Sequence, residues 1–185
     1  NQTPMKSKPI LQASRRTFIR NSGLAASSVL LPVFEMEAMG AFFKDRKLKL
    51  ALIGCGGRGT GAANQALEAD PNVELIAMSD LFEDRLTSSF SSLMEKYEGT
   101  GKMNVPDTQK FIGFDGFQKA IDLADVVILT TPPGFRPYHF EYAIQKGKHV
   151  FMEKPVATDA PGIRKVLEVA RIADEKGLNV VVGLQ

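Results

Sequence analysis

The sequence predicts an α/β protein built on a doubly wound parallel sheet, and three observations support this prediction. From residue 47 onward, short apolar segments alternate with segments of helical period, which is typical of a parallel sheet covered by helices. The first apolar segment, Leu50–Ile53, leads directly into a glycine-rich loop. The second, Val73–Met78, is followed closely by Asp80, and an acidic residue at that point is typical of dinucleotide-binding units.

The glycine-rich loop has a spacing with a mechanical meaning. Gly54, Gly56 and Gly59 fit the pattern G-x-G-x-x-G, in which the glycines allow a tight turn, the approach of a pyrophosphate and close helix packing. The next helix directs its free N–H groups and positive dipole end at the phosphates. Asp80 follows Gly59 by 21 residues, where a carboxylate accepts hydrogen bonds from the adenosine ribose. We therefore predict a dinucleotide site, with a purely structural turn as the alternative.

The remaining elements continue the alternation of strand and helix. Phe82–Tyr97 has apolar residues at helical spacing, and a polar loop then leads to a short strand at Lys110–Ile112. Further along we predict a helix at Phe117–Leu123, a strand at Asp125–Thr130, a helix around Phe140–Ile144, a strand at His149–Met152, a helix marked by Ile163, Val166, Leu167, Ala170 and Ala173, and a strand at Asn179–Val182.

Charge and cysteine content exclude several classes of partner and chemistry. The 185 residues carry a formal net charge of +2, and the positive excess lies in residues 1–41. The nearly neutral remainder gives no reason to propose nucleic acid binding, and no metal site is predicted. Cys55 is the single cysteine of the chain, so no intrachain disulfide forms, and its place inside the glycine loop indicates a packing role.

Residues 1–41 are predicted to be an export signal and linker. Ser14–Arg20, which contains Arg15 and Arg16, is similar to a twin-arginine signal, and the weakly apolar run Leu24–Leu31 follows. This run is shorter than the roughly 20 apolar residues of a transmembrane helix. We expect the twin-arginine export machinery as a partner, a periplasmic or exported location, and a mature protein that does not span the membrane. A basic patch before an amphipathic helix is the alternative.

Residues that follow the fourth and fifth strands are candidates for chemistry, because ligands of such sheets bind at the carboxyl ends of the strands. Thr131–Pro132 and His139 follow the fourth strand, and Glu153–Lys154–Pro155 follows the fifth. From position alone, Thr131–Pro132 is better explained as a strand terminator. A solvated charge pair before a turn explains Glu153–Lys154 equally well.

Taken together, the motifs resemble the glucose–fructose oxidoreductase and inositol dehydrogenase family (Gfo/Idh/MocA). The resemblance covers residues 47–185 and rests on Gly54–Gly59, Asp80, Thr131–Pro132, His139, Gly147–Val150 and Glu153–Pro155. It implies a nicotinamide-binding Rossmann domain over residues 47–185 and hydride transfer to or from sugars, sugar acids or cyclitols. In the family an α/β domain with an open sheet follows and supplies an aspartate–histidine pair. This chain has no counterpart of it, so we expect an N-terminal part that is inactive alone and that oligomerises, if at all, through the second domain.

The resemblance also implies roles for individual residues. Lys154 would be catalytic, hydrogen-bonding the reacting oxygen or the cofactor ribose and polarising the carbon–oxygen bond. NAD, in preference to NADP, would be bound by Gly54, Gly56, Gly57, Arg58, Gly59, Asp80, Thr131, Pro132, His139, Glu153 and Lys154. An inserted Gly134–Pro137 turn separates His139 from Thr131–Pro132 more widely than in the family pattern. His139 therefore either approaches the nicotinamide or caps the next helix.

Two other classes of function stay open. Some NAD-dependent glycosidases share this fold and are also exported; they use a transient oxidation at a retained nicotinamide to labilise a glycosidic bond. That group departs from the Glu-Lys-Pro motif, which this chain keeps at Glu153–Pro155. A non-catalytic dinucleotide-binding protein is the third class. The substrate, a small sugar or polyol, is not specified, because its determinants lie mostly in the second domain.

Overall fold

The computed structural model describes residues 47–183, and the predicted export signal lies outside these residues. The strands are β1 Leu48–Ile53, β2 Val73–Asp80, β3 Lys110–Ile112, β4 Val126–Leu129, β5 His149–Glu153 and β6 Val180–Gly183. The helices are α1 Gly57–Ala69, α2 Glu83–Tyr97, α3 Gly116–Leu123, α4 Arg136–Gln145 and α5 Ala160–Glu175, and a 3₁₀ turn spans Asp107–Gln109.

The six strands form one parallel sheet in the order β3, β2, β1, β4, β5, β6. This is the strand order of two βαβαβ halves joined at β1 and β4, where the direction of strand addition reverses. The reversal sends the connections on its two sides away from each other and leaves a crevice at the carboxyl ends. The predicted doubly wound Rossmann fold is therefore confirmed.

The two faces of the sheet carry separate apolar layers. Along β1, Leu50 and Leu52 point towards α1 and α2, whereas Ala51 and Ile53 point towards α3, α4 and α5, as the period-2 alternation of a strand requires. Because helices cover both faces, β1 is apolar at successive positions rather than alternately polar. No helix among residues 47–183 is long and apolar enough to cross a bilayer.

Two sequence-based expectations need correction. Only Gly134 and Phe135 of the expected Gly134–Pro137 turn precede the helix, because α4 begins at Arg136. Proline is well tolerated in the first turn of a helix. The marker residues of α5 do not all face the sheet. Val166, Val169 and Ala173 are buried, whereas Ile163 and Leu167 are 41% and 59% exposed, since their positions flank the buried stripe rather than belong to it.

Candidate active site

A cleft of about 720 Å³ opens at the carboxyl ends of β1, β2, β4 and β5. It brings together residues as far apart in the chain as Ile53 and Lys154. The predicted site residues that line it are Gly54, Gly56, Arg58, Asp80, Thr131, Pro132, His139, Glu153 and Lys154. Gly59 lies beneath the loop. Gly57 borders a second cleft of about 450 Å³, between α1 and α2.

The glycines of the loop have three different surroundings. Gly54 has a φ of +95°, and a Cβ there would come within 2.7 Å of the Thr131 nitrogen. A Cβ at Gly59 would lie 1.9 Å from the Gly54 oxygen, so only glycine allows α1 to pack this closely. A Cβ at Gly56 would meet only Arg85 Nη1, at 3.9 Å, and would otherwise project into open space. Gly56 thus leaves room for a pyrophosphate against bare backbone, and the loop fits a dinucleotide.

Asp80 ends β2 and is held by the backbone around it. The Cys55 N–H donates to Oδ2 at 2.6 Å and the Phe82 N–H donates to Oδ1 at 3.0 Å. Each carboxylate oxygen has a further lone pair, so the half-buried side chain can still accept hydrogen bonds from a ribose. Beside it, burial above all raises the pKa of the Cys55 thiol, whose Sγ lies 3.5 Å from the Ser79 oxygen. The thiol is therefore an inert packing group.

Glu153 ends β5 and is buried, with 4% exposure. Its Oε1 accepts from Arg58 Nε at 2.7 Å and pairs with Arg58 Nη2 at 2.5 Å, which ties the first turn of α1 to the end of β5. The alternative of a solvated charge pair at Glu153–Lys154 is therefore wrong for Glu153. Lys154 is exposed in the cleft, and within residues 47–183 its ammonium has no hydrogen-bond partner. The Lys154–Pro155 peptide bond is cis.

Arg136, which the sequence analysis missed, is only 3% exposed. Its Nη1 donates to the Glu153 carbonyl oxygen at 2.5 Å and also to the Pro155 carbonyl oxygen, and its Nη2 donates to the Thr131 carbonyl oxygen. Its Nε is buried without a partner among the described residues. Burial lowers the pKa of the guanidinium, and the Glu153 carboxylate opposes that shift. The only signal in the sequence is an arginine at the start of a helix, where the macrodipole disfavours a cation.

His139 is the fourth residue of α4, and its side chain lies in the wall of the cleft. Its Nδ1 is 3.1 Å from the Thr131 hydroxyl oxygen, and its ring stacks on Phe117 with centroids 4.2 Å apart. No side chain caps α4, whose N-cap residue is Phe135, so the capping alternative is not realised. Burial, with a smaller contribution from Arg136, lowers the pKa of His139 to about 4, and the imidazole is neutral at physiological pH.

Aromatic side chains that were not predicted as site residues complete this wall. Phe117, Phe135 and Tyr138 line the cleft beside His139, and the Phe135 and His139 rings are 6.1 Å apart. They belong to the first turns of α3 and α4 or to the residue before α4. Since each had an equally good explanation as core, nothing in the sequence alone marked them as part of a site.

The fold and the loop geometry define a dinucleotide-binding Rossmann domain, because the bare backbone at Gly56 and the carboxylate of Asp80 lie at the switch point of the sheet. The model of the GFO_IDH_MocA oxidoreductase family, with an NAD-binding Rossmann fold, matches residues 48–184. The chain belongs to this family, and the resemblance found in the sequence is confirmed.

Individual relatives have different activities. Inositol 2-dehydrogenase of Klebsiella pneumoniae is 29% identical over 137 residues, covering 72% of this chain and 36% of the enzyme. A glycosyl hydrolase family 109 protein of Shewanella pealeana is 25% identical over 178 residues, covering 86% of this chain and 37% of that protein. The chain spans about a third of the length of the curated relatives it matches.

Among solved structures, the WlbA dehydrogenase of Chromobacterium violaceum in complex with NADH and UDP-GlcNAcA superimposes with a TM-score of 0.53 and 27% identity. The match covers 76% of this chain and 36% of that one. The scyllo-inositol dehydrogenase of Lactobacillus casei, at 22% identity and a TM-score of 0.54, shares the fold. The similarity to these dehydrogenases falls on the dinucleotide-binding part that the present structure describes.

Proposed function

We propose that the protein is an oxidoreductase that prefers NAD to NADP and transfers hydride to or from a sugar, sugar acid or cyclitol. The observation that carries the proposal is the placement of the exposed Lys154 ammonium in the same cleft as the glycine loop and Asp80. Inositol 2-dehydrogenase and the sugar-nucleotide complex of WlbA support the substrate class. When bound, the nicotinamide supplies the hydride donor or acceptor.

The residues of the chain divide the remaining work. The glycine loop and the first turn of α1 hold phosphates through backbone N–H groups, and Asp80 accepts from ribose hydroxyls. The Lys154 ammonium donates hydrogen bonds to the reacting oxygen. These bonds stabilise the negative charge that develops on the oxygen during reduction of a carbonyl. The neutral His139 and the aromatic rings beside it form an apolar wall on one side of this end of the cleft.

The described residues supply one wall of a reaction site. Hydride transfer needs the donor and acceptor carbons held close together in a dry, closed space, whereas this cleft is open towards solvent on the side of Lys154. We therefore propose that the substrate wall and the general acid/base come from a second domain of the protein, as in the family. A homo-oligomer formed through that domain belongs to the same proposal.

The test is a turnover assay on two proteins. The full-length protein should reduce NAD with at least one member of a panel of inositols, sugars and sugar acids. Residues 1–185 alone should bind NADH, seen as a fluorescence change, and should not reduce NAD with any of them. Turnover by the 185-residue chain would refute the proposed division of labour. A full-length protein that binds NADH and oxidises none of the panel would favour a non-catalytic role.

A second candidate is glycosidase-like chemistry with a retained nicotinamide. The glycosyl hydrolase family 109 relative favours it, because its match covers 86% of this chain, more than the 72% covered by inositol 2-dehydrogenase. The Lys154 motif favours the dehydrogenase. Release of p-nitrophenol from nitrophenyl glycosides without net reduction of added NAD would identify the glycosidase, whereas stoichiometric NADH formation would identify the dehydrogenase.

We also propose that the protein is exported through the twin-arginine pathway, which carries folded proteins and so suits one that takes up its dinucleotide in the cytoplasm. The support is the Arg15–Arg16 pair with Phe18 and the short apolar run behind it. Replacing both arginines with lysine should leave the protein in the cytoplasm of a host with a working twin-arginine system. Export of the double variant at the parental level, measured by cell fractionation, would contradict the proposal.

A further inference from the structure

Arg136 occupies a position that is energetically unfavourable for a cation. It is the first residue of α4, where the positive end of the helix dipole repels a cation, and no acidic residue occupies that first turn. It is also almost completely buried, which adds a desolvation cost. Such a violation of local preference is expected where a residue serves a site rather than the helix.

The hydrogen bonds of Arg136 join the two loops at the Lys154 end of the cleft. Nη2 donates to the Thr131 carbonyl oxygen, in the loop after β4, and Nη1 donates to one carbonyl oxygen at the end of β5 and one in the loop after it. Those two belong to Glu153 and Pro155, which directly precede and follow Lys154. The backbone on both sides of Lys154 is therefore fastened to one nitrogen atom.

This geometry fixes the backbone of Lys154 and leaves its side chain free for a ligand. The Lys154 ammonium makes no hydrogen bond within residues 47–183, whereas its neighbour Glu153 pairs with Arg58 through Oε1. A planar guanidinium offers donors in fixed directions, so it sets the distance between the two loops as well as the position of each. An alkyl side chain of similar length would fill the space and make none of these bonds.

We propose that Arg136 is a positioning residue for Lys154, acting through the loop backbone without contacting substrate. The proposal rests on the catalytic role proposed for Lys154. A displacement of about 1 Å in a reacting group can cost about 10²-fold in rate. In the full-length protein, Arg136→Met should therefore lower kcat about 10²-fold, with the Kd for NADH close to parental, because the glycine loop and Asp80 are unchanged.

A double-mutant cycle separates positioning from a general loss of structure. If Arg136 acts through Lys154, Arg136→Met should have almost no further effect on kcat in a Lys154→Ala background. An equally large loss of kcat on Arg136→Met in the Lys154→Ala background would overturn the proposal. Val169→Ala is the matched control: Val169 is a buried core residue of α5 outside the cleft, so this change should lower Tm while leaving kcat and the cycle unaltered.

Hydrogen exchange supplies a readout that does not depend on turnover. Loss of the three carbonyl contacts should speed amide exchange in the peptide covering residues 150–158, and exchange within α5 should stay parental.

Where Arg136→Met fails to fold, Arg136→Lys keeps a cation without the planar fork and should show the same exchange change with a smaller loss of kcat. Unchanged exchange in residues 150–158 in either folded variant would overturn the proposal that Arg136 holds this segment in place. Absence of turnover in the parent, with faster exchange in the variant, would instead count against the proposed function alone.

Discussion

The two ends of the cleft are built from different chemical groups. At the glycine-loop end, which comprises Gly54–Gly59 and Asp80, bare backbone faces the cleft and a Cβ is excluded at Gly54 and Gly59 by contacts below 3 Å. At the Lys154 end, which comprises Thr131–His139 and Glu153–Pro155, buried charged side chains hold the loops. The contrast shows two ways of making a rigid ligand site: removing side chains, or burying charged ones.

The two ends of the cleft should differ in the substitutions that they tolerate. At Gly54 and Gly59 the glycine-loop end should tolerate no added side-chain atoms, because backbone packs closely against backbone there. The Lys154 end should tolerate no lost polar atoms, because each buried donor or acceptor there would be left unpaired. Substitutions that add atoms at the first end or remove polar atoms at the second test the contrast directly.

The largest effect is expected for Gly59→Ala. The added Cβ would stand 1.9 Å from the Gly54 oxygen and 2.6 Å from the Thr130 hydroxyl oxygen, so α1 must move away from β1. We expect the free energy of unfolding to fall by about 3 kcal/mol and dinucleotide binding to be lost, measured by chemical denaturation and NADH fluorescence.

Gly61→Ala in the same helix is the control for that substitution. A Cβ at Gly61 would meet no atom within 4 Å, and alanine in a helix interior is more stable than glycine by about 0.5–1 kcal/mol. A lower free energy of unfolding for Gly59→Ala together with a higher one for Gly61→Ala would sharpen the contrast. Parental NADH affinity in the Gly59→Ala variant would break it.

At the other end of the cleft, Lys154→Ala should separate chemistry from binding. Removal of a positioned donor from a reaction centre costs about 10²–10³ in rate, whereas the phosphate cradle is untouched. We expect kcat of the full-length protein to fall by about that factor and the NADH Kd to change by less than about threefold. Lys96→Ala, which removes an exposed ammonium of α2 that pairs with Glu68 of α1, should change neither quantity. Parental turnover without Lys154 would shift support to the glycosidase-like mechanism.

His139 should make the stability of the Lys154 end depend on pH. The folded protein keeps the pKa of His139 at about 4 against an ordinary value of 6.5, so the unfolded state binds more protons between these values. Stability contributed by His139 is therefore present above pH 6.5 and is lost as the pH falls towards 4, by about 3 kcal/mol in full. His139→Phe should flatten this part of the curve of Tm against pH.

The second histidine of the chain provides the control for this measurement. His149 lies at the start of β5, where its Nδ1 accepts from the Asn179 N–H at 3.0 Å, outside the cleft lining. His149→Gln, measured in parallel, shows how far the loss of a histidine outside the cleft changes the slope between pH 6.5 and 4. An equal slope in the parent and in His139→Phe would show that other groups cause the acid sensitivity.

The glycine-loop end was predictable from the sequence because its requirements are local. The glycine spacing and the distance to Asp80 express the geometry of a single βαβ unit, so Gly54, Gly56 and Asp80 lie in the cleft as expected. Gly57 borders the second cleft instead, since one residue along a helix rotates the backbone by about 100°.

The Lys154 end was only partly predictable, because its contacts join distant segments. Arg136 and Glu153 bond groups on other elements, and no spacing rule in one segment records a partner in another. The family resemblance indicated Lys154, yet it could not show that Glu153 is committed to Arg58. The aromatic wall was missed because Phe117 and Phe135 look like ordinary core positions in the sequence.

The smallest predicted effect concerns the choice between the two dinucleotides. The half-buried Asp80 carboxylate lines the cleft close to the phosphate-binding loop, and a 2′-phosphate placed beside it would be repelled by roughly 1–4 kcal/mol at a separation of 4 Å. Arg85 also lines the cleft and would attract the same phosphate. Because Asp80 is fixed by two backbone N–H groups whereas Arg85 is exposed, we expect the carboxylate to dominate.

Titration of the parent should therefore give a Kd for NADPH at least about tenfold above that for NADH, which corresponds to 1.4 kcal/mol. Asp80→Asn should narrow the ratio because it removes the charge that repels the 2′-phosphate, while its single oxygen keeps only one of the two backbone hydrogen bonds of Asp80. Asp84→Asn, in the exposed first turn of α2, should leave the ratio unchanged. Arg85→Ala should weaken NADPH more than NADH in both the parent and the Asp80→Asn background. NADPH binding as tight as NADH in the parent would contradict the proposed preference for NAD and would mean that attraction by Arg85 offsets repulsion by Asp80.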